Sequence, residues 1–208
     1  GSAALATQNF TTTTDVYNVA VGYTAGFAIT TGDENTLVGG QAGDALTEGV
    51  RNTALGRVAL STDTLGQYSV AVGYAALFAQ NQTTAVNTYN VAVGYNAGAA
   101  ITTGVDNVLV GGLTGDALTD ADVNIAIGTS ALSSDTLGSK SIAIGKGALF
   151  TQNFTTATDS HNIAIGTNAG LSVTTGVQIT LVGSFAGDAI EDGGNNTGIG
   201  YAALTSET

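Results

Sequence analysis

The chain has no cysteine, proline, methionine or tryptophan, and only four of its 208 residues are lysine or arginine. Without cysteine there is no disulfide framework, so stability must come from packing and stacking, as it does in surface and secreted repeat proteins. The shortage of bases disfavours nucleic acid, because phosphate recognition needs clustered positive charge. Arg51, Arg57, Lys140 and Lys146 are scattered, and 16 acids bring the net charge to −12. No apolar run approaches the roughly 18 residues of a membrane helix, and no charged-then-apolar leader is present, so this segment is not expected to insert into a membrane. Charged residues make up 10% and aromatic residues 6% of the chain, while 43% is hydrophobic, mostly alanine, valine, leucine and isoleucine. Such a composition suits a narrow core of small and branched side chains.

What the chain does contain is a metre. A glycine after alternating aliphatic residues recurs at Gly22, Gly39, Gly56, Gly73, Gly94, Gly111, Gly128, Gly145, Gly166, Gly183 and Gly200, at spacings of 17, 17, 17, 21, 17, 17, 17, 21, 17 and 17. A period this short is that of a solenoid whose coils stack strand on strand. Ala3 to Asn18, Ala75 to Asn90 and Gly147 to Asn162 align at intervals of 72 residues, which makes a block of four coils the repeating unit. The expected fold is all-β: a parallel β-roll or β-solenoid of eleven coils, continuous from residue 3 to 208 as one domain. Gly1-Ser2 is read as a dipeptide left from cloning, outside the register, on a fragment of a longer chain.

Each coil has the same grammar. The residue before the glycine is branched and aliphatic (Val21, Val38, Val72, Val93, Val110, Ile127, Ile144 and Ile165 among them), and is read as the core or subunit-contact column. The residue two places earlier is valine, isoleucine or threonine, suited to a strand, and the one between is alanine, leucine or glycine. Both faces of the strand are therefore apolar. A single-walled coil has one inside, so something must cover the other face. Alanine three places after the glycine predicts a corner packed by small side chains. Asparagine or serine four places before it, and threonine eight after it, predict polar ladders. Gly32, Gly49, Gly66, Gly104, Gly138, Gly176 and Gly193 mark turns that call for positive φ. The long coil places a polar loop once per block, near residues 8–15, 81–87 and 153–159, with Asn9, Phe10, Asn81, Gln82, Asn153 and Phe154 as candidate binding residues.

Catalytic chemistry finds little support. His161 is the sole histidine, and its counterparts are Tyr17 and Tyr89, the pattern of a variable loop residue rather than a general base. Gly145-Lys146-Gly147 lacks the spacing of a phosphate loop. With no nucleophile, acid-base or metal constellation, an enzyme is not expected. Asp44, Asp116 and Asp188 admit a calcium reading, but they come once per block rather than once per coil, so solvated turn residues and no cofactor are expected. Asn9, Asn81, Asn153 and Asn195 head glycosylation-type triplets, which the repeat itself copies. An ice-binding threonine array built on Thr30, Thr47, Thr64, Thr102 and Thr174 is interrupted by Asn81, Asn153 and Glu191. Tyr23, Tyr74, Tyr95 and Tyr201 follow the glycine directly. They could stack on sugars, though corner packing is the commoner use of such rings.

The phrases Ser69-Val70-Ala71-Val72-Gly73-Tyr74-Ala75-Ala76 and Ser141-Ile142-Ala143-Ile144-Gly145-Lys146-Gly147-Ala148 resemble the YadA-like head repeats of trimeric autotransporter adhesins. Similar tandem phrases occur in phage tail fibres. The resemblance runs through all eleven coils, although these coils are longer than the family's. It implies a left-handed β-roll whose inner strands meet in a homotrimer, on a fibre outside the cell that attaches to a host surface protein or glycan. A virion fibre is the alternative.

Overall fold

The computed structural model describes residues 1–11 and 15–205. It is a parallel β-solenoid, and no helix occurs among the described residues. One three-residue strand per coil enters a single eleven-stranded sheet: Val19–Val21, Thr36–Val38, Thr53–Leu55, Val70–Val72, Val91–Val93, Val108–Val110, Ile125–Ile127, Ile142–Ile144, Ile163–Ile165, Thr180–Val182 and Thr197–Ile199. Neighbours pair in parallel and in strict register, Val91 on Val108 and Val93 on Val110 for example. At about 4.8 Å per strand the sheet is about 50 Å long.

The strand ends where it does because of its glycine. From Gly22 to Gly183 these residues have φ between 128 and 145°, a region essentially closed to side-chain-bearing residues. A Cβ on any of them would lie 2.2–2.7 Å from the carbonyl oxygen of the next coil's glycine. The glycines thus form a spine in which each Cα rests on the carbonyl below it. Gly1 belongs to the same spine, its Cβ position 2.3 Å from the Gly22 oxygen. The register therefore includes the dipeptide that the repeat alignment was expected to leave out.

Inside the coil, the strand's middle residue is the one that is buried. Leu37, Ala54, Ala71, Ala92, Leu109, Ala126, Ala143, Ala164 and Leu181 are fully enclosed. This corrects the expected core column. Val21 and Leu55 are about half exposed, Ile127 and Ile165 more than a third, and Val38, Val72, Val93, Val110 and Ile144 are only partly covered, because all of them point away from the core. The interior is too narrow for branched side chains at every rung, and it alternates size instead. Where the strand offers leucine, the facing corner offers glycine: a Cβ on Gly43 would stand 2.8 Å from Leu37 Cδ2, and one on Gly115 2.8 Å from Leu109 Cδ2. At strand alanines Ala54, Ala71, Ala126 and Ala143 the corner supplies Leu60, Leu77, Leu132 and Leu149, whereas Ala20, Ala92 and Ala164 keep a corner glycine, Gly26, Gly98 and Gly170, against which the next coil's Leu37, Leu109 or Leu181 packs. The alanine corner is present as expected, with Ala25, Ala42, Ala59, Ala76, Ala97, Ala131, Ala148, Ala169 and Ala186 fully buried.

The polar ladders lie inside the coil wall. Asn107 and Asn124 donate their backbone N–H to the side-chain oxygens of Asn90 and Asn107 one coil earlier, at 2.9 and 3.0 Å. The amide nitrogens of Asn90 and Asn124 donate to the carbonyls of Gly104 and Gly138 at 2.7 and 2.9 Å. The turn glycines are thus required for a reason other than the one anticipated. None of Gly32, Gly49, Gly66, Gly104, Gly138, Gly176 and Gly193 has positive φ. A Cβ on Gly104 would instead press on the Ala121 oxygen at 2.4 Å, and one on Gly138 on Asp135 Oδ2 at 2.1 Å.

The spine makes a sharp prediction about two adjacent residues. Gly39→Ala should cost about 3 kcal/mol or more, since it adds strain at positive φ to a clash with the Gly56 carbonyl. Gly40→Ala, with nothing within 4 Å of its Cβ, should stay within about 0.5 kcal/mol of the parent. Urea denaturation of both variants measures the difference.

Candidate functional site

The long coils carry the loops, and each loop is anchored by a buried polar cluster that the sequence reading did not single out. Asp135 is fully buried and accepts three N–H groups: Gly138 and Phe154 backbone at 3.0 Å each, and Gln152 Nε2 at 2.6 Å. The Gln152 amide also donates to Ser141 Oγ at 2.9 Å and accepts from Asn162 Nδ2 at 2.8 Å, while Ser141 and Ser160 hydroxyls meet at 2.6 Å. Asp63, Gln80, Ser69, Thr88 and Asn90 repeat the arrangement one block earlier. Three donors make this carboxylate tolerable in a dry interior. The signal was present in the sequence. Seven places after the glycine most coils carry Ile29, Leu46, Ile101, Leu118, Val173 or Ile190, and the two coils flanking each long loop substitute Asp63 and Gln80 or Asp135 and Gln152.

This anchoring divides the candidate loop residues. Gln82 is 5% exposed and donates to the Thr103 carbonyl, and Phe154 is 6% exposed, so both plug the coil wall rather than face a ligand. The side-chain oxygens of Asn81 and Asn153 accept the hydroxyls of Thr64 and Thr136 at 3.2 and 3.1 Å. Asn9 is exposed and Phe10 half-buried, while residues 12–14 of that loop lie outside the described residues. What projects is the crest: Thr83, Thr84, Ala85 and Asn87 in one block, Thr155, Thr156, Ala157 and Asp159 in the next. The crests are backed by short strands, Val86–Asn87 on Gly66–Gln67 and Thr158–Asp159 on Gly138–Ser139. His161 is exposed in the left-handed conformation.

The second surface is the outer face of the sheet. Among the described residues every exposed large hydrophobic lies in the arc from five places before to five places after the strand-ending glycine: Val19, Val21, Leu55, Ile125, Ile127, Ile165 and Ile199 on the strands, and Leu113, Val123, tyrosines and phenylalanines beside them. The wall is bordered by two rails. On one side Arg51 lies over Tyr68, whose ring is 5.3 Å from that of Tyr89. On the other, Arg57 lies over Tyr74, which stacks on Tyr95 at 5.6 Å with 13° between the planes. The tyrosines after the glycine are therefore not corner packing: Tyr23, Tyr74, Tyr95 and Tyr201 are between 45 and 79% exposed, because the alanine two residues on already fills the corner. The threonine column is likewise tied down, Thr30, Thr47, Thr102 and Thr119 each donating a hydroxyl to the next coil's carbonyl.

Among the described residues no group of three or more His, Asp or Glu side chains converges as a metal site. Asp44 and Asp116 are instead strained electrostatically, since burial pushes both carboxyls above their ordinary range. Asp116 Oδ1 and Asp188 Oδ1 are covered and lack a hydrogen-bond donor. Comparison of the chain with protein-family models, curated proteins and solved structures gives no match.

A carboxyl whose folded-state pKa is raised binds its proton more tightly in the fold than in the unfolded chain. Its contribution to stability is best below the unfolded value and is lost as pH rises through the raised one. Asp116→Asn should accordingly raise the melting temperature at pH 7, with the gain vanishing near about pH 3. Thermal melts at the two pH values test this, and an equal gain at both would remove burial of the charge as its cause.

Proposed function

We propose that the chain is a segment of an extracellular fibre, on a cell or virion surface, that assembles as a homotrimer and mediates attachment to a host or cell surface. The observation that carries this reading is the outward wall, mostly valine and isoleucine with four threonines, repeated on eleven coils and only partly covered by the neighbouring coils. A strip about 50 Å long and two side-chain columns wide is at the upper end of the contiguous apolar surface that soluble monomers leave wet, a size at which a patch is often an interaction site. The Arg–Tyr–Tyr rails beside it have the composition that concentrates binding energy in protein interfaces. Three-fold closure and left-handedness come from the resemblance to adhesin head repeats, and the wall itself asks only for a self-complementary partner.

In this reading the loop crests, about 19 Å apart at four coils per block, are the presenting elements. Weak contacts at each would add through multivalency. The aliphatic wall holds the rod together and the loops meet the target, a surface protein or glycan.

Light scattering tests the assembly. Each chain is 20.5 kDa, so the parent should weigh about 60 kDa. Val93→Asp should give a folded monomer, because Val93 points outward, whereas Ala92→Asp, which buries an unpaired charge, should not fold. A parent chain that is monomeric at micromolar concentration would remove the trimer. Shortening the long coils to 17 residues should abolish surface attachment without changing the mass, and unchanged attachment would make the loops structural only.

A further inference from the structure

Two grooves indent the flank of the rod just beyond the strand-ending glycine. One, of about 300 Å3, is lined by Val58, Tyr74, Phe78, Tyr95, Asn96 and Ala99. The other, of about 240 Å3, is lined by Ser130, Lys146, Gly147, Phe150, Asn168 and Leu171. They share a phenylalanine and an asparagine at equivalent positions, and differ in the residue after the spine glycine, Tyr74 in the first and Lys146 in the second. Phe78 and Phe150, and Asn96 and Asn168, are each 72 residues apart, which puts the grooves four coils, about 19 Å, from one another. In each, a phenylalanine ring is exposed (44 and 38%) beside a half-buried asparagine fixed by a left-handed backbone with φ of 53 or 56°. The asparagine position is built into the second groove: Asn168 Oδ1 lies 2.6 Å from where a Gly147 Cβ would be, so the glycine makes room for it.

Charge singles out the same flank. Of the four cations, Arg51 is paired with Glu34 and Lys140 with Asp159. Arg57 and Lys146 have no salt-bridge partner among the described residues, and both directly follow a spine glycine on this flank. Lys146 lines the second groove, and Arg57 stands one coil before the first, 5.8 Å from the ring of Tyr74, which lines it. In a chain of net charge −12, these two positions are where unneutralised positive charge stands. Asp116 and Asp188 lie one coil beyond Ala99 and Leu171 in the column that begins with Phe78 and Phe150, at the far end from the cation. A bound anion is thereby given a direction, its negative end toward Arg57 or Lys146.

An aromatic face for the C–H side of a sugar ring, an amide for its hydroxyls and a free cation for an acidic substituent form one complementary set. We propose that the two grooves are repeated subsites for a carboxylate-bearing saccharide. The pyranose ring lies against Phe78 or Phe150, hydroxyls meet Asn96 or Asn168, and the carboxylate faces Arg57 or Lys146. The assignment uses neither the loop crests nor the strand residues of the outer wall, but its first subsite shares Arg57, Tyr74 and Tyr95 with one of the rails beside that wall, so oligomer mass is read alongside binding in every variant.

The test uses the full chain, with tetragalacturonate and 3′-sialyllactose as acidic probes, and methyl-esterified tetragalacturonate and lactose as their neutral counterparts. Calorimetry at low salt should give binding of an acidic probe, weakened about tenfold or more in its neutral counterpart and by added salt. Phe78→Ala with Phe150→Ala, and separately Arg57→Gln with Lys146→Gln, should each weaken it by about tenfold while leaving the melting temperature unchanged. No binding of either acidic probe, equal binding of acidic and neutral forms, or full affinity in both double variants would overturn the proposal. So would a fall in oligomer mass in either double variant, which would make the groove a contact between copies of the chain.

Discussion

The contact on which the rest of the structure depends is the seating of each strand-ending glycine on the carbonyl of the next. With 2.2–2.7 Å between a would-be Cβ and that oxygen, no other residue fits, and the spine sets the distance and rotation from each coil to the following one. Strand pairing, the asparagine ladder and the threonine ties all repeat at that interval. They can be in register only because the glycines are. Stability in such an array is a sum of coil and neighbour terms. The cost of one faulty glycine is therefore local, but it falls on two interfaces at once.

Given that spacing, the core is narrow, and its residues are chosen in pairs. Each strand leucine takes the space left by the corner glycines of its own coil and of the coil before, and a corner leucine occurs only beside a strand alanine or glycine. Where the four-residue insertion prevents a purely apolar filling, Asp63 and Asp135 with their glutamines and serines take over, every donor matched to an acceptor. The loops are thus carried on a rigid base, and so are the grooves behind them. The loops and the two grooves recur with the 72-residue block and not with the single coil.

The metre, the parallel solenoid, the alanine corner and the asparagine ladder were all legible in the sequence, because each is a fixed residue type at a fixed offset from the glycine. The inward face was not. Ala92 and Val93 are both apolar, and periodicity alone does not say which of two apolar faces is enclosed; size favours Val93 for the core, but the narrow interior admits Ala92. The pairing of Leu37 with Gly26 and Gly43, and of Leu109 with Gly98 and Gly115, held the answer, since a large middle residue flanked by two glycines marks the face that lacks room. Gln82 and Phe154 were misplaced for a related reason. A loop's first residues are read as exposed, whereas here they seal the coil that the insertion opens.

The account's central claim is that every coil advances the chain by one strand spacing along a single straight stack. Nitroxide labels at Tyr23, Tyr95 and Thr167, which are exposed residues 72 positions apart in one column, measure this directly when labelled chains are diluted with unlabelled ones. Pulsed dipolar spectroscopy should give about 19 Å for each adjacent pair and about 38 Å for the outer pair. An outer distance well short of twice the inner one would contradict the continuous in-register spine.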